Sequence, residues 1–125
     1  MLKKVTLLAA LGYSVALGTV SLITLKDLPN VQISFADKIF HFLAYSLFTV
    51  LWYLAFFYAF SLKKGKSIVY AVVLAILFGT VIEVLQDTMT SSRALDIYDA
   101  FANTLGALFA AMILEIKNSL YVKKS

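Results

Sequence analysis

Cysteine is absent from this chain of 125 residues, and charged residues make up only 14% of it. Without a thiol, the chain can form no disulfide and can use no cysteine as a nucleophile or metal ligand. A soluble domain carries roughly 25% charged residues. The shortage of charge, together with a hydrophobic content of 62%, therefore indicates a membrane protein with no room for a separate soluble module.

Familiar catalytic motifs are missing as well. The chain contains neither G-x-S-x-G nor H-E-x-x-H, and His41 is its only histidine. These absences leave a serine hydrolase or a helix-borne zinc protease without support. A net charge of +4 would elsewhere suggest a nucleic-acid partner, but here the basic residues flank apolar runs. We therefore expect no nucleic-acid partner and instead contacts with membrane lipids, through their anionic head groups.

Four apolar stretches account for most of the chain. A helix of about 20 residues crosses the roughly 30 Å of hydrocarbon in a bilayer. The first two stretches have this length, whereas the last two reach it only by drawing polar residues into the membrane, where such residues are costly and usually functional. The sequence predicts an all-α bundle of four transmembrane helices in a single domain over residues 1–125, with helices at about residues 5–25, 37–61, 67–87 and 96–117.

The first stretch has an alternative interpretation. Lys3 and Lys4, followed by a leucine-rich run, fit the start of a cleaved signal peptide. The apolar run is longer than the roughly 7–15 residues of such a peptide, and no clear cleavage site follows it. We therefore favour a retained transmembrane helix.

Basic residues are distributed unevenly between the two sides of the predicted bundle. Eight of the eleven fall on the side that carries both termini: Lys3, Lys4, Lys63, Lys64, Lys66, Lys117, Lys123 and Lys124. Short loops rich in lysine and arginine stay in the cytoplasm. The sequence thus predicts a multi-pass membrane protein with both termini cytoplasmic.

Polar residues converge on the opposite side. Counting about 20 residues per crossing from the cytoplasmic ends places five of them at or just beneath the outer face: His41, Glu83, Gln86, Asp99 and Asn103. Spacings of three or four residues put the polar residues of each helix on one face, and Gly79 and Gly106 permit close approach. We therefore expect a polar cluster at the extracytoplasmic ends of helices two, three and four.

Three short segments carry a family resemblance. They are D-K-x-x-H-F at residues 37–42, G-x-x-x-E-x-x-Q at residues 79–86 and R-x5-D-x3-N-x2-G at residues 93–106. In this order and on these helices they resemble the signature segments of VanZ-like membrane proteins, a family named after a teicoplanin-resistance accessory protein of bacteria. The resemblance covers roughly residues 33–114. It implies a bacterial cytoplasmic (inner) membrane protein with a role in the cell envelope and in antibiotic resistance, and it implies no defined reaction.

Eight residues form the predicted binding site: Asp37, His41, Glu83, Gln86, Arg93, Asp96, Asp99 and Asn103. Some have structural alternatives. Asp37 and Asp96 could cap the helices that follow them. Gln86 and Asn103 could be interhelical hydrogen-bonding residues. Arg93 could pair with a nearby aspartate, but its guanidinium also suits the bidentate binding of an anionic head group, which we favour.

His41, Glu83 and Asp99 are the candidate catalytic groups. An imidazole beside carboxylates could transfer protons or bind a metal ion. The same three residues could equally form a structural network that locks the helices together. No cofactor is predicted, and a divalent metal ion is possible.

Three functions remain open at this point. The first, which we favour, is a binding or modulatory membrane protein whose outer pocket holds a lipid head group, a lipid-linked wall precursor or an amphiphilic antibiotic. The second is an intramembrane enzyme that acts on such an amphiphile. The third is a proton-coupled transporter subunit, which the confinement of the polar groups to one face disfavours unless the protein is a homo-oligomer.

Overall fold

A computed structural model describes residues 2–27, 35–89 and 97–124 of the chain. Within these ranges every regular element is helical: α1 (Leu2–Asp27), α2 (Phe35–Leu54), a π-helical turn (Ala55–Ala59), α3 (Lys64–Met89) and α4 (Ile97–Lys124). These helices contain four candidate membrane spans of 20 to 22 residues, which is long enough to cross the hydrocarbon layer. The prediction of an all-helical chain with four helices able to span a membrane is confirmed.

The helices alternate in direction, so their ends gather into two groups. The start of α1, the connection from α2 to α3 and the end of α4 lie together, and we call this the lysine end because it carries Lys3, Lys4, Lys63, Lys64, Lys66 and Lys117. The starts of α2 and α4 and the end of α3 lie together at the opposite end, which carries His41, Glu83 and Asn103 and which we call the polar end.

Helix α2 packs most extensively against α4. Their closest approach is at Gly106, where a β-carbon would overlap the backbone carbonyl of Phe42. Beside this contact, the Ser46 hydroxyl lies 2.9 Å from the carbonyl oxygens of both Phe42 and Gly106. Only a residue without a side chain lets the two backbones meet here, which is why a small residue is needed at position 106.

Aromatic side chains fill the space between α2 and α3. Tyr45 and Phe48 are each 1% exposed. Their rings lie 6.3 and 4.8 Å from the ring of Phe78 on α3, within the range of favourable aromatic pairs.

Two hydrogen bonds tie α1 to α2. The Tyr13 hydroxyl donates to the Ala44 carbonyl at 2.6 Å, and the Trp52 indole donates to the Ser14 hydroxyl at 2.9 Å. Buried tyrosine and tryptophan side chains need such acceptors for their polar tips. The bonds therefore fix the position of α1 along α2.

After Leu54, the helix continues for five residues as a π-helical turn. In the π-helical turn the Phe60 N–H donates to the Ala55 carbonyl at 3.2 Å, five residues back. Ser61 then adopts a positive φ of 57°, and α3 begins at Lys64. The sequence predicts one helix from residue 37 to residue 61, because alanine and aromatic residues form α-helical and π-helical turns alike and nothing in their order separates the two.

Candidate functional site

His41 and Asn103 form a buried hydrogen-bonded pair that joins α2 to α4. The Nδ1 atom of His41 lies 2.9 Å from the Oδ1 atom of Asn103. The two residues are 7% and 3% exposed. An amide oxygen only accepts hydrogen bonds, so this arrangement requires a proton on Nδ1.

Glu83 of α3 is also buried and is 2% exposed. His41 lies six residues from the start of α2, and Asn103 lies six residues from the start of α4. Glu83 lies six residues from the end of α3. At about 1.5 Å per residue, each is about 9 Å from the end of its own helix, at the polar end of the bundle.

Gly79 allows α3 to approach Asn103. A β-carbon at position 79 would lie 3.0 Å from Nδ2 of Asn103 and 3.1 Å from Cε2 of Tyr45, which is closer than side chains normally pack. Nδ2 is fully buried and, among the described residues, it has no hydrogen-bond acceptor. A buried amide group without an acceptor costs about 1–3 kcal/mol, so this nitrogen favours a polar partner.

Aromatic rings enclose the imidazole of His41. Phe40 meets it edge-on at a centroid distance of 5.9 Å, and Tyr45 stacks on it at 6.5 Å with an interplanar angle of 13°. Tyr45 is also close enough to Glu83 for the two side chains to interact electrostatically. Tyr45 therefore interacts with His41 and with Glu83, and we include it in the candidate site.

Sequence reasoning did not include Tyr45 among the site residues. Tyr45 follows His41 by four residues and so shares its helix face. A tyrosine one turn below a membrane-embedded histidine is the signal that could have found it, because its hydroxyl also needs a polar neighbour in hydrocarbon.

The other predicted site residues are placed as follows. Asp37, Gln86 and Asp99 belong to α2, α3 and α4, but their side chains lie outside the described part of the chain. Arg93 and Asp96 lie outside the described residues altogether. The structure thus brings together His41 and Asn103 and buries Glu83, and the membership of all eight residues in one binding site stays a prediction.

The chemistry available to this arrangement is proton transfer and hydrogen bonding. His41 and Glu83 each carry an ionisable group, and the amide of Asn103 can both donate and accept hydrogen bonds. Among the described residues, no group of three or more histidine, cysteine, aspartate or glutamate side chains could hold a metal ion. The described residues of this site offer one imidazole and one carboxyl group, which is fewer protein ligands than a catalytic zinc ion normally takes. A divalent metal at this site stays a prediction.

Comparisons with known proteins give one result for the chain as a whole. The model of the family described as VanZ/LLP1 matches residues 5–118, which is nearly the full length. No curated protein and no solved structure matched the chain. The matched range includes all of α2 and α3, most of α1 and α4, and every residue of the candidate site.

Proposed function

This chain belongs to the VanZ/LLP1 family, and on that premise we propose that it binds an amphiphilic component of the bacterial cell envelope. The polar site would contact the polar part of a lipid, a lipid-linked cell-wall precursor or a lipoglycopeptide-type antibiotic. The observation that carries the proposal is the buried pair of His41 and Asn103, together with the burial of Glu83 at the same end of the bundle.

The energetics of the site support a ligand. Polar and ionisable side chains inside a membrane are costly and generally serve a function. An interhelical hydrogen bond in a membrane protein contributes only about 0.6 kcal/mol on average. The bond between His41 and Asn103 therefore contributes little to the packing of α2 against α4, which favours a functional reason for burying this pair.

The orientation of the bundle is part of the proposal. The excess of basic residues at the lysine end favours a cytoplasmic location for that end and for both termini, in the bacterial cytoplasmic membrane. The polar end then opens toward the outer leaflet, where envelope amphiphiles present their polar groups.

Single-cysteine variants test this orientation, because the natural chain has no cysteine to interfere. Tyr98 at the start of α4 is 73% exposed, and Lys64 at the start of α3 is at the opposite end. We expect a membrane-impermeant maleimide to label Tyr98→Cys in intact cells and Lys64→Cys only after permeabilisation. The reverse pattern would refute the proposed orientation.

The function itself is tested with variants of the three buried residues. We expect expression of the chain in a teicoplanin-sensitive bacterium to change susceptibility, and His41→Ala, Glu83→Gln and Asn103→Ala each to abolish that change. Thr80→Ala is the matched control, because Thr80 is an exposed polar residue of α3 whose hydroxyl bonds to its own helix. If the three variants fail to accumulate in the membrane while Thr80→Ala does, the network is structural and the proposal is wrong.

Direct binding is measured by native mass spectrometry of the purified protein. The probes are phosphatidylglycerol, a lipid-linked cell-wall precursor and teicoplanin, each titrated separately. We expect one of them to bind in a saturable manner and to lose affinity in Asn103→Ala but not in Thr80→Ala. Equal binding of all three probes to wild type and variants would contradict the proposal.

A second function, that of an intramembrane enzyme, is favoured by one specific observation. Asn103 fixes the imidazole through Nδ1, and a histidine oriented in this way can use Nε2 as a general acid or base. Incubation of the purified protein with the same probes, with and without a chelator, tests this alternative. A product of changed mass that is absent in His41→Ala would favour the enzyme over the binding protein.

A further inference from the structure

An apolar groove runs along the seam between α1 and α2. It has a volume of about 410 Å³ and is open on one side. Ala16 and Val20 of α1 form one wall, and Phe40, Leu43 and Leu47 of α2 form the other. The whole groove lies within the candidate membrane spans 2–21 and 39–59, so its surroundings in a bilayer are hydrocarbon.

The lining of the groove excludes a polar occupant. Its one hydroxyl group belongs to Tyr13, and that hydroxyl already donates to the carbonyl of Ala44 at 2.6 Å. The remaining lining side chains are hydrocarbon and offer no hydrogen bond to water, to a head group or to a sugar. A hydrocarbon chain is therefore the occupant whose chemistry fits.

The position of the groove relates it to the polar site. Phe40 lines the groove and also contacts the edge of the His41 ring at 5.9 Å. The groove therefore begins at the level of His41. From Phe40 it continues to Leu47, which is about 10 Å along the helix toward the lysine end. A molecule with its polar group at the level of His41 would place a chain along this seam.

A second apolar groove provides a comparison within the same molecule. It lies between the π-helical turn and α3, has a volume of about 330 Å³, and is lined by residues that include Phe56, Val69 and Leu77. It resembles the first groove in size and composition, but none of its lining residues is next to His41 in the sequence, as Phe40 of the first groove is. Surrounding lipids would cover both grooves, whereas a ligand held at the polar site would occupy only the first.

We propose that the groove between α1 and α2 holds one hydrocarbon chain of the amphiphile whose polar group binds at His41, Glu83 and Asn103. This inference rests on the proposed function and specifies its ligand class, a molecule with a polar group joined to an extended chain. Phe40 is then the residue that both parts of the ligand contact.

Photolabelling tests the proposal on the full chain in phosphatidylcholine vesicles. The probe is a phosphatidylglycerol that carries a diazirine in one acyl chain, and the labelled residues are mapped by mass spectrometry. We expect labelling of the first groove to saturate with probe concentration and to be displaced by unlabelled phosphatidylglycerol. Labelling of the second groove should rise in proportion to the probe, as expected for surrounding lipid.

A variant that fills the first groove gives a further test of the proposal. Ala16 is exposed and lines the groove, so Ala16→Phe places a ring where the chain would lie. We expect the saturable labelling to weaken about tenfold, the effect of displacing about two buried methylene groups. The matched control is Ala9→Phe, the same change at an exposed residue two turns earlier on the same face of α1, and we expect it to have no effect.

The outcomes separate this inference from the proposed function. Labelling of both grooves in proportion to probe concentration, while the susceptibility change still depends on His41, would overturn the groove proposal and leave the proposed function standing. If His41→Ala keeps both the saturable labelling and the change in susceptibility, the proposed function is wrong and this inference is wrong with it. Equal saturable labelling by a diacylglycerol with the same diazirine chain would show that the polar group is irrelevant and would overturn the link to the polar site.

Discussion

The two ends of the bundle satisfy their buried polar groups in different ways. At the lysine end, the Thr6 hydroxyl bonds to the carbonyl of Leu2 in its own helix, and the Ser67 hydroxyl bonds to the carbonyl of Leu62 just before α3. At the polar end, His41 reaches across to Asn103 on another helix. A hydroxyl near a helix can use a carbonyl already present in the local backbone, whereas an imidazole in hydrocarbon needs a partner supplied by a second helix.

This difference has a consequence for function. A self-satisfied hydroxyl such as that of Thr6 does not depend on how the helices are arranged. The pair of His41 and Asn103 exists only while α2 and α4 keep their present spacing. Chemistry that responds to a ligand therefore belongs at the polar end, and the following predictions test that contrast from the largest expected effect to the smallest.

Gly106→Ala is expected to have the largest effect, because it separates α2 from α4. The new methyl group would overlap the carbonyl of Phe42, a backbone atom that cannot move aside as a side chain would. Overpacking typically costs about 1–3 kcal/mol, and we expect the upper part of that range in thermal unfolding measured in detergent. Gly12→Ala is the control, because a β-carbon at Gly12 has no neighbour within 4 Å. Equal losses in both variants would contradict the role assigned to Gly106.

A double-mutant cycle of His41→Ala and Asn103→Ala measures the bond across the helices. We expect an interaction energy of about 0.6–1.7 kcal/mol, the range found for hydrogen bonds inside membrane proteins. The free energy of unfolding of the two single variants and the double variant supplies the value. Additive effects of the two changes would mean that the pair at 2.9 Å contributes nothing to stability.

Lys64→Gln tests the lysine end. The Lys64 ammonium lies 5.8 Å from the centre of the Phe57 ring, and an exposed cation–π contact contributes about 0.5–1 kcal/mol. We expect a loss of stability of that size when the charge is removed, measured by thermal unfolding in a neutral detergent. Lys66→Gln is the control, because no ring lies over Lys66 within the described part of the chain.

Ser67→Ala is expected to have the smallest effect. The hydroxyl of Ser67 lies 3.4 Å from its carbonyl acceptor, which is a long hydrogen bond, and no partner on another helix depends on it. We expect a change in the free energy of unfolding of less than about 0.5 kcal/mol. Ser46→Ala, which removes a hydroxyl 2.9 Å from the Gly106 carbonyl on α4, should cost more. The reverse order would remove the contrast between the two ends.

Much of the fold could be predicted from the sequence, because apolar length and a scarcity of charge determine which segments can span a membrane. The four helices follow from these two properties. The π-helical turn at Ala55–Ala59 does not, since residues such as Phe56 and Phe57 fit either winding and only packing against neighbouring helices selects one. The sequence indicated that Gly79 and Gly106 permit close approach, but not that Gly106 would meet the backbone of Phe42.

The candidate site, like the fold, could be predicted only in part. Helical counting predicted that His41, Glu83 and Asn103 lie in one layer at or just beneath the outer face, because the rise per residue is constant. Counting does not give the rotation of one helix about its axis relative to another, so it could not show that His41 bonds to Asn103 or that Tyr45 stacks on the imidazole. The assignments of Asp37, Gln86, Arg93, Asp96 and Asp99 to a binding site, and of the chain to a single domain, stay predictions.

The contact between Gly106 and Phe42 also limits how the bundle can move. Two backbones that already touch cannot be pushed closer, so α2 and α4 can only tilt about that point, as two rods do about a pivot. Displacement then grows with distance from the pivot. His41 is one residue from it in sequence and would shift little, whereas the first turn of α2 at Phe35 would move more. A ligand would therefore enter by parting the helix tips above an imidazole that stays almost in place.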